Sequence, residues 1–295
     1  MEQEKNQVKQ LAIVSGKGGT GKTTIAAAFA ALASHKVMVD CDVDAADLHL
    51  LLRPRVLKQE KYYGGRSPRV DLDKCTQCGL CTEICRFHAI ENGVVDYVSC
   101  EGCGFCFRVC PEDAIAMEEA FSGDWFVSDT PYGPFVHARL GIGEENSGKL
   151  VTVVRKQATE ITKEKNLNLI LIDGPPGIGC PVTASITGVN LVLAVTEPTL
   201  SGIHDLERIL KLSDHFKIPS MVCINKFDIN LENSQQILSY CEKNCSKIVG
   251  RIPYEPKVIE ALVNRKTVMD YPCDGVERVI QRMWEQVESL LTQKD

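Results

Sequence analysis

The sequence predicts an α/β fold with a mainly parallel sheet, interrupted by a small α+β module rich in cysteine. Three observations predict it. Short apolar runs alternate with helix-forming segments in both end portions of the chain, the pattern of parallel strands joined by crossover helices. The alternation stops after Leu52 and resumes near residue 150. Between these points eight cysteines fall into two copies of C-x2-C-x2-C-x3-C: Cys75, Cys78, Cys81, Cys85 and Cys100, Cys103, Cys106, Cys110.

The elements follow in order. Leu11-Ala12-Ile13-Val14 is a buried-strand run, and the glycine-rich loop Gly16-Lys17-Gly18-Gly19-Thr20-Gly21-Lys22-Thr23 comes directly after it. Residues 25–33 are alanine-rich and favour a helix. Val37-Met38-Val39 is a second strand ending in Asp40-Cys41-Asp42. Residues 55–68, rich in Arg, Lys, Gly and Pro, read as a linker, and the cysteine module runs from there to residue 119. Residues 121–149 hold many turn formers and read as irregular, with a hairpin between 125–127 and 135–139. A helix over 151–165 then leads into the strand Leu169-Ile170-Leu171-Ile172. Two more strands lie at 191–195 and 221–224, with helices at 203–215 and 231–245. An amphipathic helix over 276–291 closes the chain; its polar face mixes Glu277, Glu285 and Glu288 with Arg278 and Arg282, so core packing fits it better than a basic membrane-surface role. Residues 1–54 and 120–295 thus form one domain, and 55–119 an insert.

Composition narrows the function. The 295 residues are 44% hydrophobic, enough for a sizeable core, and the net charge is −6. A general nucleic-acid binder needs a basic surface, so no nucleic-acid partner is expected. The polar residues 1–10 contain no apolar stretch of secretory type, and no apolar run reaches spanning length, so no membrane partner is expected. Fourteen cysteines, eight of them in metal-ligand spacing, point to a reducing or anaerobic cytoplasm rather than to disulfides.

Two motifs carry chemistry. G-x-x-x-x-G-K-T between a strand and a helix is a phosphate loop: its amides turn toward phosphate oxygens at a helix N-terminus, Lys22 reaches the β- and γ-phosphates, and Thr23 ligates Mg2+. The cysteine runs have the spacing that wraps a cubane [4Fe–4S] cluster. Zinc sites instead favour C-x2-C pairs separated by a longer spacer.

The loop also resembles the deviant Walker motif of the MinD/Mrp/nitrogenase-iron-protein superfamily, because Lys17 occupies its second position. That resemblance implies a P-loop ATPase with ATP and Mg2+ as ligands, bound by Gly16 through Thr23 and Thr24. It implies that Lys17 reaches nucleotide across an interface, in a homodimer or a heterodimer with a related ATPase. Lys17, Lys22 and Asp42 would be catalytic, with Asp42 orienting the attacking water; Asp44 and Asp47 could share that role, and Asp40 suits magnesium or structure. Asp173, at a strand end, would hold Mg2+ with Thr23, and the Gly177 amide would sense the γ-phosphate. Asn225 would read the base, together with Pro253 in the loop Arg251-Ile252-Pro253-Tyr254-Glu255-Pro256. Cys180 matches a ligand of the intersubunit cluster in the nitrogenase iron protein, or is a small buried cysteine in a mobile loop.

The cysteine module repeats at 25 residues, with Ala89-Ile90 mapping onto Ala114-Ile115, and resembles the bacterial two-cluster ferredoxins. The resemblance implies that the fourth cysteine of each run serves the other cluster. One cluster would take Cys75, Cys78, Cys81 and Cys110, and the other Cys100, Cys103, Cys106 and Cys85. The usual proline after the fourth cysteine is present as Pro111 but replaced by Arg86 in the first copy. The functions implied are electron delivery to a redox or metalloprotein acceptor under a nucleotide-driven dimer switch, cluster delivery to other proteins, or spatial organisation of the MinD or partition type.

Overall fold

The computed structural model describes residues 8–141 and 147–293. In chain order the elements are β1 (Lys9–Ser15), α1 (Lys22–Leu32), β2 (Lys36–Asp40), α2 (Leu48–Leu52), β3 (Arg55–Val70), α3 (Leu80–Ile84), β4 (Ile90–Glu91), β5 (Val94–Val95), α4 (Phe105–Val109), β6 (Ile115–Thr130) and β7 (Gly133–Leu140). They continue as α5 (Ser147–Glu164), β8 (Leu169–Pro176), α6 (Cys180–Ile186), β9 (Leu191–Thr196), α7 (Leu200–His215), β10 (Ser220–Asn225), α8 (Leu231–Lys243), β11 (Lys247–Ile252), α9 (Pro256–Val263) and α10 (Val276–Thr292).

The chain forms two compact units. The larger comprises residues up to 58, 126–138 and from 147 on; the smaller comprises 59–125 and the stretch from 139. The sheet of the larger unit runs β11-β10-β9-β1-β8-β2-β7, followed by the ends of β6 and β3 at 126–130 and 55–58. The pairings of β1, β2, β8, β9, β10 and β11 are parallel. β1 lies centrally, with Ala12 opposite both Ile172 and Val192. Every residue of β2, β9 and all but the last of β8 is buried, as strands covered on both faces require. The β2–β8 register sets Asp40 opposite Asp173. Two carboxylates therefore meet at the carboxyl edge of the sheet, where ligands bind in open α/β folds.

Helix α1 lies inside this core, with Ile25 through Ala30 all buried. Four alanines in that stretch let it approach the sheet closely, and Phe29 meets the Trp284 ring with centroids 5.1 Å apart. The last helix is a core element: Val276, Ile280, Met283, Trp284, Val287 and Leu291 are buried in the cluster that includes α1. Truncating Trp284 to alanine would cost about 3–5 kcal/mol.

In the smaller unit, residues 59–70 of β3 neighbour 115–125 of β6. Helices α3 and α4 pack together, β4 and β5 form a two-stranded antiparallel sheet, and Ile90, Cys106 and Ile115 make a small core.

Two expectations are corrected. Residues 55–68 are strand β3, not a linker. Its polar, glycine-containing sequence has no strand periodicity, and its ladder partner lies about 60 residues later in β6, so local propensity cannot reveal it. Residues 121–140 are the continuation of β6 and the strand β7, a longer hairpin than 125–127 with 135–139. The chain turns at Pro131-Tyr132, where the Thr130 hydroxyl donates to the Gly133 carbonyl at 2.7 Å. Residues 142–146 of the turn-rich stretch, and 1–7 of the polar N-terminus, lie outside the described residues.

Candidate nucleotide site and cysteine-lined cavities

Five strand ends of the larger unit bring the site together. Gly21, in the left-handed region at φ 89°, ends the loop and opens α1. A side chain there would be strained, and its Cβ would meet Asn225 Nδ2 at 2.3 Å, so glycine is required twice over. At Gly16 a Cβ would sit 2.0 Å from Asp205 Cβ.

Lys22 is the electrostatic centre. Its ammonium donates to Asp173 Oδ1 at 2.9 Å and to Thr23 Oγ1 at 3.3 Å, and stands 3.6 Å from Asp42 Oδ2. Burial opposes its charge, but Asp173, Asp42 and Asp40 together hold its pKa above the usual lysine value. One cation cannot satisfy three carboxylates. Burial and Asp173 push Asp40 well above the ordinary aspartate range despite Lys22. Burial raises Asp42 in the same way, with Lys22 opposing and Asp173 assisting. Asp40 is also the structural brace of its loop, accepting from Asp42 N–H at 3.0 Å and Leu48 N–H at 3.3 Å.

Asp173 Oδ2 and Thr20 Oγ1 are buried with no hydrogen-bond partner among the described residues. Buried polar atoms are almost always paired, so these two suit a polar ligand. A carboxylate and a threonine hydroxyl are hard oxygen donors of the kind Mg2+ takes.

Lys17 is held within its own chain. It pairs with Glu197 at 2.6 Å and donates to Thr199 Oγ1 and Ser201 Oγ, each at 3.2 Å. Lys226 meets the other Glu197 oxygen at 3.2 Å and also donates to the Gly19 carbonyl. Burial works against ionisation of Glu197, but the two lysines outweigh it and depress its pKa. Glu197 was not singled out from sequence; the available signal was an acid just past a buried strand, at the ligand-binding edge of the sheet. Gly177, the amide expected to sense phosphate, donates to the Ser15 carbonyl of β1 at 2.8 Å.

Beside the loop lies a cavity of about 750 Å3 lined by Gly19, Gly21, Thr24, Asn225, Pro253 and Tyr254, among others. Asn225 Nδ2 donates to the Thr20 carbonyl at 2.7 Å, and its Oδ1 accepts from Lys226 N–H at 3.0 Å. The side chain thereby joins the phosphate loop to the end of β10. Gly18 stands in open space. Cys180 is not a buried loop cysteine: it is exposed and is the first residue of α6, where the chain leaves the sheet edge.

The smaller unit holds two further cavities. One, of about 420 Å3, has Cys75, Cys78, Cys81 and Cys110 in its lining. The other, of about 360 Å3, has Cys100, Cys103, Cys106 and Cys85. Each thus draws three cysteines from one repeat and the fourth from the other. Ala89 N–H donates to Cys85 Sγ at 3.4 Å and Ala114 N–H to Cys110 Sγ at 3.3 Å. All fourteen cysteines are free thiols. Among the described residues no group of three or more His, Cys, Asp or Glu is disposed to hold a single metal ion.

A family model described as the CobQ/CobB/MinD/ParA nucleotide binding domain matches residues 11–268. Uncharacterized protein MJ0578 of Methanocaldococcus jannaschii is 31% identical over 289 residues, 96% of each chain. Uncharacterized protein MJ0579 of the same organism is 25% identical over 265 residues, 88% of this chain and 91% of its own. Among solved structures, the septum site-determining protein MinD complexed with Mg-ADP from Pyrococcus horikoshii aligns with a TM-score of 0.57 at 17% identity, covering 96% of this chain and 97% of its own.

Proposed function

Because the chain belongs to the CobQ/CobB/MinD/ParA nucleotide-binding family, we propose that it is an ATP-binding and ATP-hydrolysing iron–sulfur protein. In this reading a nucleotide-driven dimer switch gates electron delivery from two [4Fe–4S] clusters to a partner metalloprotein. One observation carries it: the chain that holds the phosphate loop also holds two cavities, each lined by four cysteines from both repeats.

The loop amides from Gly16 to Thr23 cradle the phosphates at the start of α1. Lys22, now on Asp173 and Thr23, would reach the β- and γ-phosphates, and Asp173 with the Thr23 hydroxyl would hold Mg2+, which supplies charge neutralisation when bound. Asp42, 3.6 Å from Lys22, orients the attacking water. Asn225, Pro253 and Thr24 border the base. Lys17 leaves Glu197 to reach nucleotide in a second subunit, either another copy or a related chain; the two relatives in one organism suit the latter. The Mg-ADP bound by the structurally similar MinD supports the choice of ligand.

In the smaller unit, read as the inserted ferredoxin-like domain, the thiols ring a volume rather than converge on a point. Sulfurs around one zinc at 2.3 Å would lie about 4 Å apart, and no group suited to one ion occurs among the described residues. Four thiolates spaced around a cavity suit a cubane, which supplies one-electron transfer when bound. The free thiols suit a reducing compartment, and no helix among the described residues is long and apolar enough to cross a membrane.

The family and fold neighbours favour a second reading, a MinD- or ParA-like spatial organiser with structural or sensory clusters. The test is anaerobic reconstitution followed by an iron count, with MgATP and an apo-acceptor protein present or absent. About eight irons per chain are expected, retained through ATP turnover and passing electrons to a low-potential acceptor only with MgATP. Iron that leaves with ATP makes the protein a cluster carrier. Retained iron that passes no electrons in either state leaves the organiser reading.

A further inference from the structure

The 25-residue repeat makes each cysteine-lined site a control for the other. Building on the cluster reading, we infer that the two sites are electrochemically unequal: the site of Cys75, Cys78, Cys81 and Cys110 has the lower potential, and that of Cys100, Cys103, Cys106 and Cys85 the higher.

Much of the surroundings is duplicated and cannot separate them. Both have four thiols. Both fourth cysteines accept one backbone N–H at nearly the same distance, 3.4 Å and 3.3 Å. Helices α3 and α4 each span five residues and open on a left-handed glycine, Gly79 or Gly104.

Charge is not duplicated. Cys110 is followed by Pro111-Glu112-Asp113, where Cys85 is followed by Arg86-Phe87-His88. Glu112 lines the first cavity and Phe87, its repeat equivalent, the second. Counted over equivalent spans, 71–82 with 110–113 carry Asp71, Asp73, Glu112 and Asp113 against Lys74, a net −3. Residues 96–107 with 85–88 carry Asp96 and Glu101, the latter lining the second cavity, against Arg86, a net −1 with His88 neutral. Reduction adds an electron, so nearby carboxylates disfavour it and a nearby guanidinium favours it. Burial works the other way, since Cys106 is 9% exposed while its equivalent Cys81 is less buried. That difference concerns one sulfur of four, whereas the charge differs by two units, so charge sets the order. An electron shared by the pair therefore resides at the second site.

The experiment is a redox titration of the reconstituted full-length protein followed by electron paramagnetic resonance. Wild type should give two separate one-electron waves. Glu112→Gln with Asp113→Asn should raise the lower wave and leave the upper in place. All three side chains changed are exposed, and asparagine tolerates the positive φ of Asp113 (48°). Arg86→Gln should lower the upper wave alone. Coincident waves in wild type, or variants that move both waves equally or the wrong one, overturn the inference while about eight bound irons leave the cluster reading standing. Failure to bind iron as [4Fe–4S] brings down both.

Discussion

The charge balance at Lys22 gives the sharpest test of the nucleotide site. Its single ammonium faces Asp173 at 2.9 Å and Asp42 at 3.6 Å, with Asp40 also within electrostatic reach. Asp173 is 1% exposed and Lys22 6%. Lys22→Met keeps most of the stem packing and removes only the charge. Breaking a buried pair from one side costs about 3–5 kcal/mol, because the partner charge stays buried. For a chain of this size that lowers Tm by roughly 6–15 °C. The pH dependence identifies the cause. Without Lys22 the carboxylates of Asp40 and Asp42 carry folded-state pKa values raised further above their unfolded value of 3.8. A raised folded pKa means the folded state is favoured by protonation, so the variant regains stability as pH falls through those values, and the gap to wild type closes. The measurement is calorimetry of nucleotide-free protein at pH 8 and pH 5.5. A Tm loss that is the same at both pH values assigns the cost to packing and refutes the charge argument. A variant as stable as wild type at pH 8 refutes it outright.

Three further outcomes are expected. Lys17→Ala should bind MgATP with near wild-type affinity by calorimetry yet fail to dimerise by light scattering and fail to hydrolyse; normal turnover as a monomer refutes a trans-acting lysine. Glu197→Gln should cost about 1–2 kcal/mol at pH 7, discounted because Lys17 and Lys226 are each about a third exposed. Since the folded pKa of Glu197 lies below its ordinary 4.5, its contribution is full above that value and lost as pH falls through the folded one, so wild type and variant should converge in thermal melts taken at successively lower pH below it. Asn225→Ala removes the 2.7 Å bond to the Thr20 carbonyl and should weaken ATP binding about tenfold to hundredfold; an unchanged Kd means the cavity beside β10 does not hold the base.

The sequence makes legible what local pattern encodes. β1, β2, β8, β9 and β10 are continuous apolar runs, the glycine loop sits between a strand and a helix, and the last helix has one apolar face. Each signal lies within a few residues of itself. What escaped depends on partners distant in the chain. β3 looks like linker because its register comes from β6. Glu197 looks like an ordinary strand-end acid until the fold brings Lys17 and Lys226 to its two oxygens. The crossed lining of the two cysteine cavities was available only through resemblance, since spacing alone groups Cys85 with Cys81 rather than with Cys100.

Glu197 also suggests how the nucleotide loop and the base pocket are linked. One carboxylate holds both Lys17, which in the proposed switch must leave, and Lys226, whose backbone N–H donates to Asn225 and whose ammonium donates to the Gly19 carbonyl. Withdrawing Lys17 removes one of the two cations that depress the Glu197 pKa. The remaining carboxylate charge then falls wholly on Lys226, tightening its hold at the mouth of the base cavity. Dimer formation through Lys17 and retention of the base would on this logic reinforce each other, which linkage requires to be reciprocal: nucleotide with an intact base should promote dimerisation more strongly than triphosphate alone. Light scattering with ATP against tripolyphosphate measures this, and equal dimerisation by the two would break the link.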